Sequence, residues 1–138
     1  MSNSDSQSWF ATCPKGLESL LAAELDSFGA DSTRETVAGV YFAGQRALAY
    51  RACLWSRLAN RILWPLAQID ATDGDIFYQG MKDIKWGGVF DSSKTIAIDF
   101  SGENRNIRNT QFGAQRSKDA IVDWFVATGA PRPSVDRA

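Results

Sequence analysis

The sequence predicts an α+β fold, and three observations predict it. The first seventy residues run strand, helix, strand, strand, helix, strand, judged by β-rich runs and by apolar residues at helical spacing. A turn-rich cluster, ATDGD at 71–75, then interrupts the pattern. Beyond it come one cleanly alternating strand and two helices. A chain of 138 residues makes one domain or two very small ones. A hydrophobic fraction of 44% with five tryptophans is ample for a packed core.

Each element has its reason. MSNSDSQS, residues 1–8, is polar and lacks the charged and apolar regions of a signal peptide, so it reads as a disordered tail. SWFATC is rich in β-formers and gives the first strand. Pro14 suits the start of a helix, with Thr12 or Cys13 before it. Leu17, Leu20, Leu21, Leu25 and Phe28 then recur at helical spacing, and Gly29 stops the run. TRETV and VYFAG read as a hairpin turning at Ala38-Gly39. A second helix is expected from Arg46 to about Arg61, with Leu48, Ala52, Trp55, Ala59 and Ile62 as its apolar stripe. ILWPLAQID follows as a strand, and Pro65 places it at an edge. This order is that of the split βαβ, ferredoxin-like unit, expected over residues 9–72.

The second half is harder to close. Asp75 is expected to cap a short helix through Lys82. KWGGVFDSS reads as irregular. KTIAIDF alternates, with Ile96, Ile98 and Phe100 on one face. A helix is expected from about Gly113 to Ala127, with Ile121, Trp124 and Phe125 inward and Gly129 as its stop. PRPSVDRA must be extended. A lone strand cannot satisfy its own ladder, so the reading expects a fragment of something larger.

Composition excludes much chemistry. Without histidine there is no Ser-His-Asp triad, no Cys-His pair and no histidine-ligated metal. No GxGxxG or GxxxxGK[ST] occurs. Cys13 and Cys53 read as reduced, buried thiols. Carboxylate pairs such as Glu24 and Asp26 read as solvated. No apolar run approaches the roughly 18–20 residues needed to span a bilayer. The expectation is a cytoplasmic chain with no catalytic, metal or cofactor site of its own.

Charge is segregated beneath a net of −1. Residues 41–69 carry four arginines and no acid, and residues 104–138 carry six bases against three acids. Segregation of this kind builds basic faces on an acidic protein. On a helix running to Arg61, Arg46, Arg57 and Arg61 fall within about 60° of one another, either a solvated face or a stripe for phosphates. The segment 103–116 is the richer candidate. Arg105 and Arg108 can grip phosphates. Asn104, Asn106, Asn109, Gln111 and Gln115 offer the donors and acceptors that base edges and 2′-hydroxyls require. Phe112 can stack on a base or cover the core. The helix start near Gly113 adds free N–H groups for an anion. Ile107 reads as a core anchor, and Trp86 as a packing residue.

These residues also resemble a known family. The runs WFATCPKGLESLL from Trp9, LWSRLANRI from Leu54, FSG from Phe100, IRNTQFGA from Ile107 and KDAIVD from Lys118, continuing to PRPSVDR, are similar to the N-terminal region of bacterial large-subunit (23S) ribosomal RNA guanine-N2 methyltransferases. These are THUMP-domain enzymes, often fused to a second, guanine-N7 methyltransferase domain. The resemblance implies a ferredoxin-like βαββαβ domain at 9–72 and a partial THUMP α/β domain at 73–138, with a THUMP pattern that can start as early as Leu48. It implies binding of structured RNA, namely large-subunit ribosomal RNA, and its delivery to a downstream methyltransferase domain that uses S-adenosylmethionine. That catalytic domain is not in this sequence. The RNA-contact candidates at matching positions are Arg105, Asn106, Arg108, Asn109, Gln111, Arg116 and Lys118, with Arg46, Arg57 and Arg61 from the second helix. Two alternatives stand beside this reading. One is the THUMP region of a transfer-RNA modifying enzyme. The other is a protein-interaction module whose arginine faces dock acidic partners.

Overall fold

The computed structural model describes residues 6–102, 107 and 109–136. Its contacts separate into two units, Met1–Leu66 and Ala67–Ala138.

The first unit is a four-stranded antiparallel sheet with two helices on one face. Its elements are β1 (Gln7–Thr12), α1 (Glu18–Ser27), β2 (Ser32–Thr36), β3 (Gly39–Gly44), α2 (Arg46–Trp55) and β4 (Arg61–Leu63). The strand order is β2-β3-β1-β4, the ferredoxin-like order expected from the sequence. Alternation along the strands decides which side chains enter the core. Trp9 and Ala11 of β1, with Val40 and Phe42 of β3, face Leu21, Ala22 and Leu25 of α1 and Leu48, Ala49 and Ala52 of α2. The intervening Phe10 and Tyr41 pair across the strands on the other face, ring centroids 4.6 Å apart. The indole of Trp9 donates to the Gly44 carbonyl at 3.1 Å, so its one polar atom is satisfied in the core.

Several boundaries differ from expectation. Pro14 does not open α1. It begins a turn in which Leu17 N–H donates to the Pro14 carbonyl, and the helix starts at Glu18. Leu20 points to solvent, because the buried stripe is Leu21, Ala22 and Leu25. The hairpin turns at Val37-Ala38, since Thr36 pairs with Gly39, and Ala38 takes φ +60°. Helix α2 ends at Trp55, two turns early. Ser56 leaves helical dihedrals, and its hydroxyl donates to Glu24 on α1. The same carboxylate accepts from Arg57 N–H at 3.2 Å, so Glu24 is a structural tie and not a solvated acid. Trp55 is exposed as a result, and Ile62 belongs to β4. β4 is an edge strand, as Pro65 required, but it is only three residues long. Cys13 is buried, whereas Cys53 is exposed on α2, contrary to expectation. Burial, and then the charge of Glu18, push the Cys13 thiol above its ordinary range, so it stays protonated.

The second unit packs two helices over an irregular chain. These are α3 (Gly74–Lys82) and α4 (Thr110–Ala127), with a short 3₁₀ turn at Trp86–Gly88. The cap of α3 is Asp73, not Asp75: its carboxylate accepts from the N–H groups of Asp75 and Ile76, both at 2.8 Å. Helix α4 begins three residues before the expected Gly113, because Asn109 caps it through Gln111 N–H at 2.8 Å. Its buried face carries Ile121 and Phe125, which meet Trp86 in a cluster bordered by Met81, Phe90, Ile96, Ile98 and Trp124. Trp86 is a packing residue, as read, and donates to the Met81 carbonyl at 2.8 Å. Ile107 is buried, as an anchor should be.

Among the described residues the segment expected as the strand KTIAIDF makes one bridge, Ile96 to Val135, in parallel. Ile96 N–H donates to Ser134, and Asp136 N–H donates to Ile96. The partner chain arrives through Pro131 and Pro133, which have no N–H to extend a ladder. The expected facing was right. Ile96 and Ile98 join the cluster, and Phe100 packs edge-on against Phe77 at 5.7 Å.

Candidate nucleic-acid interface

Helix α4 sorts its side chains by face. At about 100° per residue, Gln111, Ala114, Gln115 and Lys118 share one flank, while Gly113, Ser117 and Ala120 turn inward. That flank forms one wall of an open cleft of about 880 Å³. The returning segment Arg132, Pro133, Ser134, Val135 and Asp136 lines it as well, together with Ile98. The hydrogen bonds at Ile96 hold that segment in place.

The cleft therefore presents Gln111, Gln115 and Lys118 from α4 and Arg132, Ser134 and Asp136 from the returning segment: two cations, two amides, a hydroxyl and one carboxylate. Among the described residues Lys118 makes one ion pair, with Asp119 at 3.7 Å, and Asp136 shares the cleft with it. Amides offer donor and acceptor together, and cations answer phosphate. This is the equipment for holding a polyanion that also carries hydrogen-bonding edges.

The expected contact residues divide. Gln111 and Lys118 line the cleft. Asn109 is not in the cleft lining, and its side-chain oxygen caps the helix. Arg116 lies on another flank. It pairs with Asp75 at 3.0 Å and stacks on the Tyr78 ring at 4.4 Å, so it ties α4 to α3. Tyr78 completes that tie by donating its hydroxyl to Asp123, which raises the phenol above its ordinary range. Arg105, Asn106 and Arg108 lie outside the described residues.

Arg132 and Ser134 were missed. Arg132 stands between two prolines, far along the sequence from the amide-rich run, and only the return of the chain brings it to α4. Gln115, named among the amides of the sequence, also lines the cleft, four residues from Gln111 on one helical face.

The arginines of the first unit do not form the expected helical stripe, because α2 ends before Arg57. Arg46 is in α2 and lies over the Trp64 ring at 5.2 Å. Arg57 is in the turn beyond, and Arg61 is in β4. Arg51 is structural: its guanidinium donates to the Phe28 carbonyl at the end of α1, at 2.6 Å.

Comparison with known proteins places both units. The RlmL ferredoxin-like domain matches residues 8–63, and the THUMP domain matches residues 71–138. The chain therefore carries both domains, one after the other. It is 54% identical, over 94% of its length, to ribosomal RNA large subunit methyltransferase K/L of Aeromonas hydrophila. It is 51% identical over 92% to the protein of the same name from Cellvibrio japonicus. It spans 18% and 17% of those two relatives. Among solved structures, a predicted N6-adenine-specific DNA methylase from Listeria monocytogenes superposes with a TM-score of 0.82. That match has 24% identity and covers 96% of this chain and 35% of that one. It shows the shared fold.

The relatives are methyltransferases by name, so the fit of a methyl donor to these residues matters. Nucleotide-type cofactors are held by a glycine-rich turn between a strand and a helix. The turn from β1 to α1, Cys13 to Leu17, holds a single glycine, and the cleft wall is a helix flank. These residues do not fit such a cofactor. Among the described residues no cluster of three or more Cys, Asp or Glu could hold a metal, and no helix is long and apolar enough to cross a membrane.

Proposed function

We propose that this chain is the RNA-binding, substrate-presenting region of an S-adenosylmethionine-dependent ribosomal RNA (guanine-N2) methyltransferase. The observation that carries the reading is the cleft along α4, which Lys118 and Arg132 line with Gln111, Gln115, Ser134 and a single carboxylate, Asp136, in a THUMP domain. The names of the relatives supply the substrate class. The cations give affinity and the amides give register, which is the positioning share of catalysis. A downstream catalytic domain of the same protein supplies methyl transfer. Arg105, Asn106 and Arg108 immediately precede α4 in sequence and belong to the proposed contact set.

The test is binding of the chain to a large-subunit ribosomal RNA hairpin across a salt series. A duplex DNA of equal length and a transfer RNA serve as competitors. The reading expects preference for the ribosomal hairpin and weakening as salt rises. Preference for the transfer RNA moves the chain to a transfer-RNA modifying enzyme. No RNA binding by folded protein removes the reading.

A further inference from the structure

The exposed face of α2 remains unexplained by the cleft. Tyr50, Leu54 and Trp55 are 65%, 76% and 65% exposed, on a helix whose other side is fully packed. Arg46, Tyr50 and Leu54 stand at i, i+4 and i+8 and so form one row along the helix. Trp55 closes the last turn, and Arg57 follows it. Contiguous exposed apolar surface marks a contact site, and Tyr50 and Leu54 are neighbours in this row.

Charge identifies the occupant. From residue 41 to residue 69 there is no acid, and four arginines lie in that span. Among the described residues the ion pairs are Arg116–Asp75 and Lys118–Asp119, so the guanidinium groups of Arg46, Arg57 and Arg61 stand in no ion pair, although the backbone N–H of Arg57 donates to Glu24. A protein partner could use the apolar row, but it would have to bring its own acids. A nucleic acid brings anion and aromatic face together. Aromatic side chains between unpaired cations are the arrangement that takes unstacked bases with their phosphates.

We infer that α2 is a second RNA-contact surface, on which Tyr50 and Trp55 stack unpaired bases while Arg46 and Arg57 meet the adjoining phosphates. The inference rests on the RNA-binding reading above, and it adds a preference for RNA with unpaired nucleotides. A convex helix flank cannot reach bases inside an A-form duplex, so only loops, bulges or ends can use it.

The experiment compares two RNAs of equal length and charge, a hairpin with an unpaired loop and a fully paired duplex. The proteins are the wild-type chain, Tyr50→Ala with Trp55→Ala, and Tyr50→Phe with Trp55→Phe, each shown to be folded by far-ultraviolet circular dichroism. The alanine pair should bind the hairpin on the order of tenfold or more weakly. It should bind the duplex as the wild type does, with the same salt slope. The phenylalanine pair, which keeps a stacking ring, should recover most of the loss. Unchanged hairpin binding, or an equal loss on both RNAs, overturns the inference and leaves the cleft reading standing. Failure of the wild type to bind either RNA removes the RNA-binding reading itself.

Discussion

Glu18 shows how much one side chain can organise. Its carboxylate accepts from Gly16 N–H at 2.8 Å and from Ala38 N–H at 3.0 Å, so it joins the start of α1 to the hairpin turn. Backbone hydrogen bonds, first its own N–H and then that of Ala38, hold its pKa below the ordinary value of 4.5. A depressed carboxylate stabilises the fold above its unfolded pKa, and that contribution is lost as pH falls through the folded pKa. Glu18→Gln should therefore lower the urea midpoint at pH 7, and the gap from wild type should close at acid pH. A gap that is constant with pH would assign the loss to shape and not to charge. Gly39 makes a second prediction at this scale. A Cβ there would lie 2.3 Å from the Phe10 ring and 2.8 Å from the Ala11 carbonyl oxygen. The ring can shift, but the strand backbone cannot. Gly39→Ala should cost about 1–3 kcal/mol in urea unfolding, the usual cost of overpacking. A neutral result would mean that β1 and β3 have room to separate.

Helix ends set the elements, and both units use the same C-terminal device. In α1, Gly29 takes φ +100°, and Ala30 N–H reaches back to the Leu25 carbonyl. In α4, Gly129 takes φ +81°, and Ala130 N–H reaches back to Phe125. In each case the following alanine packs on the core, which is the Schellman pattern. At the N-termini, Asp73 and Asn109 supply the caps of α3 and α4. Asp73→Ala and Asn109→Ala should each cost about 1 kcal/mol, and serine at either position should retain most of it. Thermal melts followed by circular dichroism would show this, and serine variants as unstable as alanine would refute the cap assignment. The glycine stops were legible in the sequence because they are local. The end of α2 was not, because Glu24 that captures Ser56 is thirty-two residues away. The facing of Ile96 and Ile98 was legible from alternation, while their sparse pairing depended on the distant prolines. The cleft shows the same division. Gln111 and Lys118 could be read from one helix, whereas Arg132 could not.

Across the whole chain, charge separates into alternating acidic and basic segments, and this lets a protein of net charge −1 hold basic surfaces. The consequence is measurable because phosphate contacts release counterions. Each lost contact lowers the slope of log affinity against log salt by about 0.7 for single strands and about 0.9 for duplex. If Lys118 and Arg132 each meet a phosphate, Lys118→Ala with Arg132→Ala should reduce the slope by roughly 1.4–1.8 on a ribosomal RNA hairpin. It should also weaken binding at low salt on every RNA tested, since phosphates carry no sequence information. Lys94→Ala is the control. It removes one positive charge from the same unit but lies outside the cleft lining. Long-range attraction alone would make Lys94→Ala about half as damaging as the cleft pair. Direct contact makes it nearly silent. An unchanged slope in the folded cleft variant would show that Lys118 and Arg132 do not touch RNA, and the phosphate contacts would then have to come from the arginines before α4 or from α2.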